Sequence, residues 1–140
     1  MTNLEDEGIM NIRESVPKIE KLVREHVGGQ QFDYVFTHNA NGEYGHPRHI
    51  GVHRAVRGMA ERGQLACGNL FFFSYATNER SRVINDSRSA RYEVRLDRAT
   101  LSEKKRIVQK LYGFSRKSFE NVSCLGRELF RMNLNRARQA

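Results

Sequence analysis

The fold of this chain is decided by residues 31–59, which read QFDYVFTHNANGEYGHPRHIGVHRAVRGM. Residues 32–37 are rich in aromatic and β-branched side chains, so they predict a strand. Residues 39–45 are mostly turn formers and predict a loop. Pro47 suits the first turn of a helix, and one face of that helix is then marked by the apolar residues Val52, Ala55, Val56 and Met59. A strand, a loop and a helix in this order indicate a unit of an α/β fold.

The sequence on either side supplies further predicted elements. An amphipathic helix ending at Gly28 is indicated by apolar residues spaced three or four apart, namely Val16, Ile19, Val23 and Val27. Downstream, the apolar run at residues 70–73 predicts a strand buried on both faces. Residues 76–90 are polar and predict a surface loop.

The last third of the chain predicts one more strand and a helical remainder. Residues 92–96 alternate between apolar and charged side chains, as a half-buried strand does. Thr100 and Glu103 form a capping-box pattern ahead of a helix that runs through Leu111, and the rest is predicted to be helical. We therefore expect one partial α/β domain over residues 1–140, with a mainly parallel sheet, flanking helices and loose termini at 1–15 and 126–140.

Length and composition exclude several classes of protein. The 140 residues correspond to about one domain. No apolar run approaches the roughly 18 residues of a membrane span, and the acidic N-terminus lacks the apolar core of a signal peptide. Cys67 and Cys124 are too few for a disulfide framework, so we expect a cytoplasmic protein.

The net charge of +8 is concentrated after residue 40. Residues 1–40 carry four basic and seven acidic side chains, whereas residues 41–140 carry twenty and nine. Such a surface attracts nucleic acid, anionic lipid or phosphorylated ligands. The arginines of residues 80–98 alternate with acidic residues and serines, and no nucleic-acid-binding motif is present. A solvated surface is the favoured interpretation, and nucleic acid is not the expected partner.

Residues with catalytic or metal-binding chemistry are concentrated between the predicted strand and helix. Four of the five histidines lie in this segment: His38, His46, His49 and His53. In open α/β sheets, ligands bind at the carboxyl ends of the strands, which is where this segment is expected. His46, His49 and His53 have a spacing that allows them to contribute to a metal site, since His49 and His53 share a helix face.

Structural roles stay open for some of these side chains. His53 borders the apolar stripe, and a partly buried, hydrogen-bonded ring is its favoured interpretation. For His46 and His49, the position at a helix N-terminus favours function. His38 ends the strand and fits either role. Glu43, the only carboxylate in the loop, is a metal ligand, a partner that supports a histidine, or a solvated side chain.

Thr37-His38-Asn39, followed by Asn41-Gly42-Glu43-Tyr44-Gly45-His46-Pro47-Arg48-His49, resembles the second motif of the PIG-L/LmbE-like N-deacetylases. These are zinc-dependent hydrolases that remove acetyl groups from N-acetylglucosamine-containing compounds and related amides. The order of predicted elements and residues 104–112 are also similar to the family. The resemblance covers residues 16–120 and implies a Rossmann-like domain, a Zn²⁺ cofactor and an N-acetylated sugar or glycoconjugate as substrate.

The resemblance also implies roles for individual residues. His49 matches a zinc ligand, and His46 matches the histidine that stabilises the tetrahedral intermediate or its leaving group. The substrate side of the loop would contain Asn41, Glu43, Tyr44 and Arg48, and the supporting residues would be His38 and His53. Zinc in such a site polarises the amide carbonyl and lowers the pKa of its bound water.

Two differences from the family pattern bear on activity. Arg48 stands where the family usually has an acidic residue. The family's first motif, His-Pro-Asp-Asp, supplies the other zinc ligands and the general base, and it does not occur in these 140 residues. A catalytic zinc normally has three protein ligands, and this chain offers one or two. The chain is therefore predicted to be the C-terminal half of such an enzyme, truncated or split, and completed by an N-terminal half-chain or a homo-oligomer.

Two other functions remain open from the sequence. The missing motif and Arg48 also fit a catalytically inactive relative that binds a sugar or a protein partner. The positive charge after residue 40 fits a nucleic-acid-binding module, whose affinity would fall steeply with salt.

Overall fold

The computed structural model describes residues 11–80, 82–88 and 90–133, and these ranges contain five helices and six strands. In chain order these are α1 (Ile12–Val27), β1 (Gln31–Thr37), α2 (Gly42–Gly45), α3 (Pro47–Glu61), β2 (Ala66–Phe73), β3 (Tyr75–Thr77), β4 (Val83–Asn85), β5 (Tyr92–Arg95), α4 (Arg98–Lys110), α5 (Phe119–Val122) and β6 (Arg127–Asn133). The predicted mixed α/β class is confirmed.

The main sheet has four strands in the order β1-β2-β6-β5. β1 and β2 run parallel, and α3 makes the crossover between them, as parallel strands require. β6 is antiparallel to both β2 and β5. Among the described residues the sheet is thus mixed rather than mainly parallel, because the chain returns through β6 instead of adding another crossover.

Strand β6 is the largest difference from the sequence prediction. Residues after Gly113 are predicted to be helical and residues 126–140 to form a loose end, yet residues 127–133 fill the sheet between β2 and β5. At the other end, α1 already includes residues 12–15, and its Asn11 N-cap accepts a hydrogen bond from the Arg13 N–H. For residues 127–133, apolar spacing predicts a helix, but pairing with the edge of β2 stabilises a strand.

Smaller differences concern the polar middle of the chain. Within residues 76–90, predicted as loop, β3 and β4 form a two-stranded antiparallel hairpin. The strand predicted at residues 92–96 is present as β5, but all four of its residues are exposed rather than half-buried. Helix α4 begins before the predicted capping box, because its N-cap is Asp97 rather than Thr100. The Asp97 carboxylate accepts a hydrogen bond from the Thr100 N–H.

The core lies between one face of the sheet and helices α1 and α3. Met59, Val56 and Leu70 are buried there together with Leu65 and Phe72. Gly51 lets the two helices approach closely, because a Cβ at this position would lie 3.0 Å from Ser15 Oγ. This packing holds α3 against the carboxyl end of β1, where the histidine-rich loop begins.

The opposite face of the sheet is aromatic. Phe36 stacks on Phe71 with ring centroids 5.1 Å apart, and Phe71 contacts Tyr92 edge-on at 5.2 Å. Tyr34 and Phe36 are 62% and 53% exposed, so much of this face stays open within the described part of the chain. Both cysteines are free thiols, and no helix in the described ranges is long and apolar enough to cross a membrane.

Candidate metal centre

The histidine-rich loop lies at the carboxyl end of β1. His38 follows the last residue of β1 directly, the turn α2 carries Glu43, and His49 lies in the first turn of α3. His46 occupies the N-cap position of α3, with Pro47 as the first helical residue. The fold therefore brings together side chains that are up to 11 positions apart in the sequence.

Glu43 is the centre of this arrangement. One carboxylate oxygen, Oε2, accepts hydrogen bonds from His38 Nδ1 at 2.9 Å and from His49 Nδ1 at 2.7 Å. The other, Oε1, accepts from the Asn39 N–H at 2.8 Å. Glu43 is 7% exposed, so a buried carboxylate is shared by two partly buried histidines.

The backbone at Glu43 is strained. Its φ of 62° and ψ of −57° correspond to a γ-turn geometry that non-glycine residues rarely adopt. Asn41 Oδ1 accepts from the Glu43 N–H at 3.0 Å, and Gly42 precedes it at φ 61°. This backbone conformation places the Glu43 carboxylate where it accepts hydrogen bonds from His38, Asn39 and His49, and these bonds offset the strain.

The Glu43 carboxylate is ionised at neutral pH. Burial alone would raise its pKa, but hydrogen bonds from His38, His49 and the Asn39 N–H outweigh burial and lower the pKa to about 2. An ionised carboxylate only accepts hydrogen bonds, so Nδ1 of both histidines must carry the proton. In a neutral imidazole this leaves Nε2 with a free lone pair, which is the form that ligates a metal.

The three rings of the loop lie against one another. His38 and His49 stack with centroids 3.8 Å apart and planes 12° apart, and His46 lies 4.6 Å from His49. Tyr44 contacts His46 and His49 edge-on, at 5.7 and 5.4 Å. The side chains predicted as catalytic (His46) and metal-binding (His49) are thus adjacent in space.

His53 supports the site through the backbone. Its Nδ1–H donates to the His38 carbonyl oxygen at 2.8 Å, and its ring packs on Phe72 at 4.7 Å. The residue is 5% exposed, and burial lowers its pKa, with Arg57 and Arg131 acting in the same direction. This position matches the favoured interpretation of a buried, hydrogen-bonded ring, and it places His53 behind His38 rather than in the stack.

The remaining predicted residues lie around the loop. Asn41 Nδ2 donates to the Tyr75 carbonyl at 2.9 Å and ties the loop to the β3–β4 hairpin. Tyr44 is 41% exposed and contacts Phe119 of α5 edge-on at 4.9 Å. Arg48 is half-buried in the first turn of α3.

Asn39 and Thr37 are polar residues that the sequence did not single out as site candidates. They are 2% and 5% exposed, and Asn39 Nδ2 and Thr37 Oγ1 have no hydrogen-bond partner within the described residues. Buried polar atoms of this kind usually have a partner, so both mark a polar position at the end of β1 that suits a water molecule or a ligand. In the sequence, the only sign of a role at the site is that these two residues directly flank His38.

The donor set suits a transition metal. One ligand atom from each of His38, Glu43 and His49 lies within 4.8 Å of the other two. Two imidazoles and a carboxylate are ligand types that zinc accepts, and a carboxylate bonded to a histidine also orients that histidine toward a metal. The three residues could hold a metal ion with Glu43 orienting the histidines, as the hydrogen bonds place it now, or as three direct ligands once those hydrogen bonds are released.

Comparison with known proteins adds no relative. No model of a known protein family matches the chain, and no curated protein sequence matches it significantly. The geometry of the loop is accordingly the basis for assigning a function.

Proposed function

We propose that this chain is part of a zinc-dependent hydrolase of the PIG-L type, which removes an acetyl group from an N-acetylglucosamine-like amide. The observation that carries the proposal is the Glu43 carboxylate holding His38 and His49 at the carboxyl end of β1. A carboxylate that orients histidines in this way is a recurrent feature of zinc sites. The strand–crossover–strand unit of β1, α3 and β2 supports a Rossmann-like half-domain.

Each side chain has a distinct task in this proposal. His49 would hold the metal, while Glu43 fixes the orientation of its ring by accepting from Nδ1. His46, adjacent to His49, hydrogen-bonds the oxyanion or the departing amine of the substrate. His38 shares the carboxylate of Glu43, and His53 holds the backbone of His38. The metal supplies Lewis-acid activation of the amide and of a water molecule.

The described part of the chain provides an incomplete catalytic site. Among the described residues the metal-binding group consists of His38, Glu43 and His49 without an aspartate, and its one carboxylate is engaged by both histidines rather than free to act as a general base. β1 is an edge strand of the described sheet, and a further strand paired parallel to its free edge would place its own carboxyl end beside His38. We propose that a separate half-chain or a second copy supplies the missing groups there.

The first test measures zinc binding by the chain alone. A competition titration with a chromogenic chelator is expected to show weak zinc affinity that His49→Ala removes and that Lys18→Gln, on the exposed side of α1, leaves unchanged. Tight stoichiometric zinc binding that persists in His49→Ala would contradict the assignment of the ligand.

The second test measures catalysis by the completed site. The coding sequence upstream of Met1 is read for His-Pro-Asp-Asp, and a segment that carries this motif is co-expressed with the chain. Acetate release from N-acetylglucosamine compounds is expected, with a loss of about a hundredfold or more in His46→Ala and His49→Ala. Undiminished activity in both variants would refute the site. A complex that binds the sugar without zinc or hydrolysis would indicate the inactive-relative alternative.

A further inference from the structure

A shallow polar cavity, open to solvent, lies on α4, apart from the histidine loop, and three of its side chains, Arg106, Lys110 and Arg116, are exposed. Its volume is about 560 Å³, and its walls include the cations Lys105, Arg106, Lys110 and Arg116. No carboxylate lines it. Four cations line one space and only Arg106 is paired with a carboxylate, that of Glu103 outside the lining, so the cavity attracts anions.

The local sequence explains why these charges converge. Lys105, Arg106 and Gln109 share one face of α4, since positions three and four apart on a helix are neighbours. Arg116 comes from the segment between α4 and α5. Asn121, 7% exposed, fixes that segment: its Nδ2 donates to the Arg116 carbonyl at 2.7 Å, and its Oδ1 accepts from Gln109 Nε2 at 3.0 Å.

Most of this charge is uncompensated. Arg106 forms a two-pronged ion pair with Glu103, at 2.6 and 2.7 Å, and both side chains are more than half exposed. Within the ranges that the structure describes, none of the ion pairs involves Lys105, Lys110 or Arg116. Neighbouring like charges repel, so a bound anion would relieve this repulsion.

We propose that this cavity binds a small molecule carrying a phosphate or pyrophosphate group. Lysine and arginine give charge-assisted hydrogen bonds to phosphate oxygens, and the Gln109 amide adds a neutral polar group in the wall. A single concave space with the cations around it fits a compact anion, whereas a duplex requires cations spread along its backbone. The proposal stands independently of the metal centre.

The experiment titrates the full chain with inorganic pyrophosphate and records ¹H–¹⁵N NMR spectra, with sodium chloride holding the ionic strength constant. Shifts are expected at the backbone amides of α4 and Arg116. Lys105→Gln/Lys110→Gln is expected to weaken binding by about tenfold or more, as the loss of charge-assisted hydrogen bonds predicts. The matched double variant Lys18→Gln/Lys21→Gln removes the same charge from the exposed side of α1 and is expected to change binding by less than about twofold.

The spectra also report whether each variant folds, and Arg116→Gln, outside the helix, provides a second test of the cavity. Equal weakening in both double variants, or unchanged binding in Lys105→Gln/Lys110→Gln, would overturn the proposal. So would the absence of pyrophosphate shifts at constant ionic strength. A short DNA duplex that binds more tightly than pyrophosphate and is weakened equally by both double variants would indicate a diffuse nucleic-acid surface instead.

Discussion

Glu43 combines a strained backbone with a buried, ionised carboxylate. Its three hydrogen bonds reach residues before and after it in the chain, namely His38, Asn39 and His49. Strain of this kind persists where surrounding contacts over-determine the conformation, and it often occurs at functional sites. At the scale of the single residue, the loop is therefore organised around one side chain.

Glu43→Gln is expected to lower the free energy of unfolding at pH 7 by about 1–3 kcal/mol, because the uncharged amide has a single acceptor oxygen and cannot accept from the Asn39 N–H as well as from both histidines. In the wild type, the Glu43 pKa is about 2 when folded and near 4.5 when unfolded. Its stabilisation is therefore present above pH 4.5 and lost as the pH falls toward 2, by up to about 3 kcal/mol.

Urea unfolding between pH 7 and pH 3 tests this prediction, and Glu43→Gln should lack that part of the acid sensitivity. Glu61→Gln is the control, since Glu61 is a half-exposed carboxylate paired with Arg57 on α3. It is expected to cost less than about 1 kcal/mol. Equal acid sensitivity in wild type and Glu43→Gln would contradict the role given to this carboxylate.

The burial of His53 predicts that the free energy of unfolding also depends on pH in a higher range. Burial lowers its pKa in the folded protein, so the unfolded chain takes up a proton more readily. Its stabilisation is present above the unfolded pKa of about 6.5 and is lost as the pH falls below that value. His53→Asn keeps an N–H donor for the His38 carbonyl without a titrating ring. The free energy of unfolding, measured at pH 7.5 and 5.5, should decrease less between these two pH values in His53→Asn than in the wild type. An equal decrease in both proteins would contradict the argument from burial.

At the scale of elements, a half-buried ion pair joins α4 to the sheet. Lys104 of α4 pairs with Glu128 of β6, and their side chains are 33% and 14% exposed. Burial raises the pKa of Glu128 to about 7 and lowers that of Lys104. The cost of removing both charges from water therefore offsets much of their attraction.

A comparison of a single and a double variant tests this balance at pH 8, where most of the Glu128 carboxyl is ionised. Lys104→Met leaves a carboxylate without its partner and is expected to cost about 2 kcal/mol of unfolding free energy. Lys104→Met/Glu128→Leu removes both charges and should recover most of that loss. A double variant as unstable as the single one would show that the pair stabilises the α4–β6 contact by itself.

At the scale of the whole molecule, the sheet is covered unequally. Helices α1 and α3 bury one face, whereas Tyr34 and Phe36 remain largely exposed on the other. Contiguous exposed apolar area commonly marks an interaction surface. Within the described residues this aromatic face lies beside the free edge of β1, where the proposed function would seat a further chain.

Tyr34→Glu/Phe36→Glu is expected to reduce the fluorescence of bound anilinonaphthalene sulfonate several-fold and to lower concentration-dependent association, because it places charge on that face and edge. Leu111→Glu is the control, since Leu111 is 71% exposed at the end of α4. Sedimentation velocity measures the association. Dye fluorescence that falls equally in the double variant and in Leu111→Glu would show that the apolar surface lies elsewhere.

Local sequence patterns predicted many of the elements. Apolar spacing predicted α1 and α3, and aromatic and β-branched runs predicted β1 and β2, because these signals depend on neighbours in the chain. The same signals misjudged residues 127–133, where pairing with β2 and β5 outweighs local preference. The candidate residues His46 and His49 were chosen from the loop motif, but the sharing of Glu43 between His38 and His49 was not predicted.

The sequence by itself determined the strand–loop–helix unit and the concentration of histidines within it, since both follow from residue type and spacing. Only the tertiary structure decided that Glu43 is buried, that its carboxylate joins His38 to His49, and that His53 holds the His38 backbone. The reason is that burial and hydrogen bonding depend on α3 packing against β1 and β2, which no local pattern specifies.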